Sequence, residues 1–87
     1  MLRVVHAAAE LDVASASRFA SDLRGTGSLV VDCSQVEFID SSGLQVLLEA
    51  RQRVVGDGGQ LVLRNPSAVV LRLLKVTSTR ELFTIEE

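Results

Sequence analysis

Apolar and polar positions along this chain follow two spacings, one repeating every two residues and one repeating about every 3.6 residues. The first predicts strands and the second predicts helices. In chain order, the predicted elements are a strand at 2–11, a helix beginning at Asp12, a strand at 29–33, a helix from about Gly43 to Val55, a strand at 60–64, a helix beginning at Asn65–Pro66, and a short strand or extended tail at 81–85. Strands that alternate with helices predict an α/β fold with right-handed parallel crossovers.

The most informative stretch is Phe38-Ile39-Asp40-Ser41-Ser42-Gly43-Leu44-Gln45, at the start of the second predicted helix. An apolar run ends at Ile39, in a buried strand or loop, and a helical apolar face begins at Leu44. The polar side chains between them therefore lie at a helix N-terminus. Free backbone N–H groups and the helix dipole favour negative charge at that place.

Two interpretations of this helix start remain open. Ser42-x-x-Gln45 fits a capping box, which predicts Ser42 as the cap and leaves Ser41 one residue outside the helix, facing solvent. A phosphate added to Ser41 would then carry roughly −1.5 to −2 charges close to a helix N-terminus. In the simpler interpretation, Asp40, Ser41 and Ser42 are redundant caps, since all are ordinary cap residues.

Composition narrows the classes of protein that the chain can represent. The chain has 87 residues with no linker or repeat, which predicts one domain over 1–87. Aromatic residues are 3% of the total, so the core is expected to be aliphatic. A net charge of −2, no basic cluster and no Tyr or Trp argue against a nucleic-acid partner. No run approaches the ~18 apolar residues of a membrane span, and the N-terminus lacks a secretory pattern, so we expect no membrane insertion and a cytoplasmic protein.

The sequence offers little for catalysis, and we expect neither an enzyme nor a cofactor. A nucleophile elbow needs a glycine two residues before its serine, which Ser41 and Ser42 both lack. A receiver-type phospho-aspartate at Asp40 would need further carboxylates and a lysine, and the only lysine is Lys75. Cys33 is the single cysteine, so no intrachain disulfide or thiolate zinc site is expected, and we interpret it as a buried apolar residue.

The stretch Val36-Glu37-Phe38-Ile39-Asp40-Ser41-Ser42-Gly43-Leu44 resembles the signature of the STAS domain of bacterial anti-sigma factor antagonists. The resemblance continues in other segments of the chain. These are Glu10-Leu11-Asp12, Leu29-Val30-Val31-Asp32-Cys33-Ser34, Gly59-Gln60-Leu61-Val62-Leu63 and Pro66-Ser67-Ala68-Val69. It implies the STAS fold, one mixed and mostly parallel sheet with flanking helices.

The resemblance also implies a function as an anti-sigma factor antagonist. In the family, the serine after the motif's aspartate is phosphorylated by a kinase that is also the anti-sigma factor, and that position is Ser41 here. Asp12, Asp40, Ser42 and Gly43 would then form the partner surface. The unphosphorylated protein would bind the anti-sigma factor and release the sigma factor, and a serine phosphatase would restore that form.

Other functions within the family remain open. A STAS-type subunit of an ATP-binding cassette (lipid) transporter complex would dock on an ATPase without phosphorylation. A nucleotide-binding module is a further alternative, which no phosphate-binding loop in this sequence supports. In the family, a further strand usually comes first. Here that first strand is expected to be missing or very short, because the chain begins almost at the strand that precedes Glu10. The open sheet edge expected from this difference would favour a homodimer.

Overall fold

The computed structural model describes residues 2–87, which form six strands, three α-helices and one 3₁₀ turn. In chain order they are β1 (Arg3–His6), β2 (Glu10–Leu11), α1 (Ala16–Asp22), β3 (Leu29–Asp32), β4 (Phe38–Ile39), α2 (Ser41–Gly56), β5 (Leu61–Arg64), α3 (Ala68–Val76), the 3₁₀ turn (Arg80–Leu82) and β6 (Thr84–Glu86). No helix within these residues has the length and apolar character needed to cross a membrane.

The main sheet has the strand order β1-β3-β5-β6, and each neighbouring pair is parallel. Its centre is β3, whose Leu29, Val30 and Val31 are all buried. A continuous apolar strand of this kind suits a parallel sheet covered by other elements. The predicted α/β class with a mostly parallel sheet and flanking helices is therefore confirmed.

The strand predicted at 2–11 is divided in two, and this part of the prediction is wrong. β1 ends beside β3, where the Ala7 N–H donates to the Asp32 carbonyl at 2.9 Å. The Ala9 carbonyl instead accepts from the N–H groups of Glu37 and Phe38, at 2.7 and 3.1 Å. The chain thus leaves the main sheet, and β2 forms a separate parallel pair with β4. The strand is interrupted because β1 and β2 pair with different distant strands, β3 and β4, and not because of the local strand preference of residues 7–9.

The helices cover the core with aliphatic side chains and one phenylalanine. Phe19 of α1, Leu47 and Val54 of α2, and Val70 and Leu74 of α3 are buried in one cluster with the sheet. This agrees with the aliphatic core expected from composition. Burial of such side chains contributes about 1.5–3 kcal/mol each relative to exposure, which makes this cluster the main source of stability.

Two predicted helix starts lie too early. A turn precedes α1, in which the Asp12 carboxylate accepts from the Ser15 N–H and the Ser15 hydroxyl accepts from the Asp12 N–H, both at 3.0 Å. Asp12 therefore caps this turn, and the helix itself begins at Ala16. α3 begins at Ala68 rather than at Asn65–Pro66, because Ser67 has an extended backbone (φ −66°, ψ 167°) and is the N-cap, so the first helical residue is the one after it.

Candidate functional site

The β2–β4 pair brings two distant segments of the chain together beside the start of α2. Glu10 is in register with Phe38, and Leu11 is in register with Ile39. The Asp40 N–H then donates to the Leu11 carbonyl at 3.2 Å. As a result, the segment that contains Asp12 lies next to the segment that contains Asp40 and Ser41. The two parts of the sequence that we assigned to one surface are neighbours in the fold.

Asp40, and not Ser42, is the N-cap of α2. Its carboxylate accepts from the N–H groups of Ser42 at 2.8 Å and Gly43 at 3.4 Å, and its carbonyl accepts from the Leu44 N–H at 3.1 Å. The predicted capping box of Ser42 and Gln45 is wrong, since the Gln45 amide donates to the Glu49 carboxylate instead. One aspartate satisfies two of the free N–H groups at the helix start.

Ser41 is the first residue of α2 and is exposed. It was expected one residue outside the helix, and the difference follows from the change of cap. Its hydroxyl forms no hydrogen bond with any residue in 2–87, because the Asp40 carboxylate already serves the neighbouring N–H groups. The side chain is therefore open to a reagent or a partner, as expected from the sequence.

Gly43 faces the interior of the molecule, where α2 meets β2. A Cβ atom at this position would lie 2.6 Å from the Leu11 carbonyl oxygen and 2.8 Å from the Leu11 Cβ. Only glycine permits this approach, so Gly43 sets how closely the start of α2 sits on the β2–β4 pair. Ser42, the next residue before it, is half-buried.

The two segments that meet at the site are acidic in sequence. Residues 7–17 and 25–50, which include both site segments, contain no Lys or Arg, although the chain has nine in total. The same two ranges contain the acidic residues Glu10, Asp12, Asp32, Glu37, Asp40 and Glu49. No group of three or more metal-ligating side chains occurs within the described residues. The two segments that meet at the site therefore carry negative charge and no basic side chain.

Phe38 is an exposed residue beside Asp40 and Ser41 whose exposure the sequence did not predict. Phe38 belongs to an apolar run that we expected to be buried, yet the residue is 50% exposed. The reason is that β4 pairs only with β2, outside the main sheet, so the layer of side chains that covers the core does not extend over Phe38. No local pattern in the sequence signals this position.

The single histidine and the single cysteine of the chain lie on or directly after strands of the main sheet. His6 is exposed on β1, in register with Asp32 of β3. Cys33 is fully buried, and burial raises the pKa of its thiol to about 12. It matches the buried apolar residue expected from the sequence and, at neutral pH, has almost no thiolate character.

The family of this chain is shown by its sequence. The sequence model of the STAS domain family matches residues 2–87, so the chain belongs to the STAS domain family. No curated protein matches the chain in sequence.

Several solved structures share the fold. A candidate anti-sigma factor antagonist from Thermotoga maritima superposes with a TM-score of 0.85 at 22% identity, covering 99% of this chain and 79% of the other. An anti-sigma-factor antagonist (STAS) domain protein from Planctomyces limnophilus gives 0.79 at 24% identity, covering 97% and 80%. The anti-sigma factor antagonist SpoIIAA in its unphosphorylated form gives 0.77 at 17% identity, covering 99% and 80%. At these identities the likeness establishes the fold.

Proposed function

We propose that this STAS domain is an anti-sigma factor antagonist controlled by phosphorylation of Ser41. In the unphosphorylated state it binds an anti-sigma factor that is also a serine kinase, and the sigma factor is released. Phosphorylation of Ser41 ends this binding, and a serine phosphatase restores it. The domain acts in the cytoplasm as a binding protein, without a cofactor or a reaction of its own. The observation that carries the proposal is the exposed, unbonded Ser41 hydroxyl on the first turn of α2.

The helix start explains why a phosphate at Ser41 would act as an off signal. A free helix N-terminus receives an anion well, but here the N–H groups of Ser42 and Gly43 already bond to Asp40. A phosphate would add roughly −1.5 to −2 charges directly beside that carboxylate. Binding a partner over this pair of anions would require removing water from both, and a penalty of ~1.4 kcal/mol already weakens affinity about tenfold.

The structural relatives support the same proposal at the level of the class. Those from Planctomyces limnophilus and SpoIIAA are described as anti-sigma factor antagonists, and SpoIIAA was solved in its unphosphorylated form. Transferring that function to this chain is our proposal. Asp12, Asp40, Ser42 and Gly43 are its predicted partner residues. Asp12 and Asp40 would contribute side chains, and Gly43 would contribute through the position of the helix start.

The first experiment tests phosphorylation. The purified chain is incubated with ATP and each anti-sigma factor kinase that the source genome encodes, and the product is examined by mass spectrometry. We expect one phosphate, located on Ser41 by fragmentation, and none on the Ser41→Ala variant. A phosphate placed on another residue, or none under conditions that modify a control substrate, would contradict the proposal.

The second experiment tests the effect on binding. Ser41→Asp should weaken the affinity for the anti-sigma factor at least tenfold in calorimetry. The matched control is Ser21→Asp, which adds the same charge at an exposed position on α1 and should leave affinity unchanged. Equal affinities for the two variants would exclude the switch. Co-purification with an ATP-binding cassette protein, with Ser41→Ala harmless, would favour the transporter-subunit alternative instead.

A further inference from the structure

An apolar groove lies beside the Ser41 surface, between β4 and α3. Its walls are the side chains of Phe38 and Ile39 on one side and Val69, Leu73 and Val76 on the other. Its volume is about 260 Å³. Sites for small molecules and cofactors usually enclose roughly 300–1,000 Å³, so this groove is better suited to one or two side chains of a protein than to a cofactor.

Two apolar side chains of the groove, Phe38 and Val76, are much more exposed than the apolar side chains of the core. Phe19 and Phe83 are only 3% and 7% exposed, whereas Phe38, the third phenylalanine, is 50% exposed. Val76 across the groove is 73% exposed. Aromatic residues are enriched at protein interfaces, and a few such anchors carry most of the binding energy. The groove thus has the composition of an interface centre.

The charge around the groove indicates which partner fits it. Glu37 lines the groove, Glu10 is in register with Phe38, and Asp40 follows two residues after Phe38. Arg72, on α3, is the one basic residue among those that line the groove. The β2–β4 side of the groove is therefore acidic at Glu37 and Glu10, and a complementary partner surface would be basic there.

We propose that the groove is the anchor site for the anti-sigma factor. The partner inserts an aliphatic or aromatic side chain between Phe38 and Val76 and places Lys or Arg against Glu37 and Glu10. The part of the partner that covers Asp40 and Ser41 carries no basic side chain, so a phosphate on Ser41 would be buried there without a counter-charge. This inference rests on the proposed function and extends it by naming the partner's chemistry. Affinity then comes mainly from the groove, and Ser41, at the edge of the same surface, controls whether the anchor can be reached.

The test compares groove variants with a matched control in calorimetry against the anti-sigma factor. Phe38→Ala and Val76→Ser should each weaken binding about tenfold, as expected for anchor positions. Val55→Ser removes an apolar residue of comparable exposure, 48%, from α2 and should leave affinity within twofold. Thermal unfolding of each variant checks that it is folded. Unchanged affinity in folded Phe38→Ala and Val76→Ser would overturn the inference.

A charge variant tests whether basic side chains of the partner lie against the acidic side of the groove. Glu37→Gln should lower affinity several-fold at low salt, and the loss should shrink as salt is raised, because screening weakens the attraction. Glu81→Gln, at an exposed position outside the groove, is the control. An affinity that rises in Glu37→Gln would show that the partner surface is acidic and would overturn this assignment.

The outcomes separate the inference from the proposed function. If Ser41→Asp abolishes binding while the groove variants bind normally, the switch holds and the groove inference is wrong. If the groove variants lose binding while Ser41→Asp does not, the groove inference holds and the switch is wrong. If no anti-sigma factor binds, the proposed function and the partner named for the groove are both wrong.

Discussion

Asp40 determines how Ser41 is presented to the outside. Its backbone is extended, and its N–H bonds to Leu11 while its carboxylate bonds to the first turn of α2. Since the carboxylate caps the helix, neither serine hydroxyl is needed for that purpose. The same group also places a negative charge next to the proposed phosphorylation site. The helix cap and the negative charge beside Ser41 thus depend on one side chain.

Replacing Asp40 should separate these two roles. Asp40→Ala removes the cap and should destabilise the protein by ~1 kcal/mol, with Tm falling about 4–8 °C for a domain of this size. Asp40→Asn keeps a capping oxygen without the charge and should retain most of the stability. Thermal unfolding followed by circular dichroism gives both values. Identical Tm values for the wild-type protein and Asp40→Ala would show that the cap contributes nothing.

Local sequence could not identify this cap. Asp40, Ser41 and Ser42 are all good cap residues, and Ser42 also fits the S-x-x-Q pattern. The choice is made by contacts with a segment about thirty residues earlier in the chain. The Leu11 carbonyl accepts from the Asp40 N–H, and only glycine at position 43 leaves room for Leu11, so these two contacts set where the helix starts.

At the scale of elements, the main sheet carries a row of charged and polar side chains on one face. His6, Asp32, Arg64 and Glu86 are in register across all four strands. Arg64 donates to the Glu86 carboxylate at 2.7 Å, and the two side chains form an exposed ion pair. Hydrogen bonds from the hydroxyl and N–H of Ser34 lower the pKa of Asp32, with smaller contributions from the charges of His6 and Arg64.

This lowered pKa predicts a dependence of stability on acid. The folded state favours the Asp32 carboxylate, so its contribution is present above the ordinary pKa of 3.8 and is lost as pH falls through the lower folded value. Wild-type protein should therefore be slightly more stable than Asp32→Asn at pH 7, and the difference should disappear near pH 2. Urea unfolding at both values measures it. A difference that grows in acid would contradict this assignment.

The largest cause of the shift can be tested by removing it. Ser34→Ala deletes the hydroxyl that donates to Asp32 at 2.6 Å and keeps the backbone N–H. The acid dependence should then be reduced but not abolished. The effect is expected to be small, because Asp32 is partly exposed and solvent screens such interactions.

At the scale of the whole molecule, the spacing of apolar residues predicted the elements that are determined by residues close together in sequence. The β3 strand and the α2 helix follow from continuous apolar and helical spacing, and α2 extends from Ser41 to Gly56 against a prediction of 43–55. The division of residues 2–11 and the exposure of Phe38 both result from the pairing of β2 with β4, which is a long-range event. For this reason the existence of a helix start close to Ser41 was predictable from the sequence, and the groove beside β4 was not.

Cys33 provides a measure of how often the whole molecule opens. It is fully buried in the core at the end of β3, and desolvation raises the pKa of its thiol to about 12. The thiolate is the reactive form, so the folded protein should react very slowly with a disulfide reagent at pH 8 and rapidly in urea. Reaction then requires opening of the core, and its rate follows the population of the open state.

This dependence connects the core to the helix cap. If opening is global, a loss of ~1 kcal/mol in Asp40→Ala should increase the reaction rate about fivefold, whereas Asp40→Asn should react nearly as slowly as wild-type protein. Stopped-flow measurement of reagent release gives the three rates. Equal rates with different Tm values would mean that Cys33 becomes accessible through a local opening that leaves the start of α2 intact. Rates that follow Tm would show that the cap, the β2–β4 pair and the core unfold as one cooperative unit.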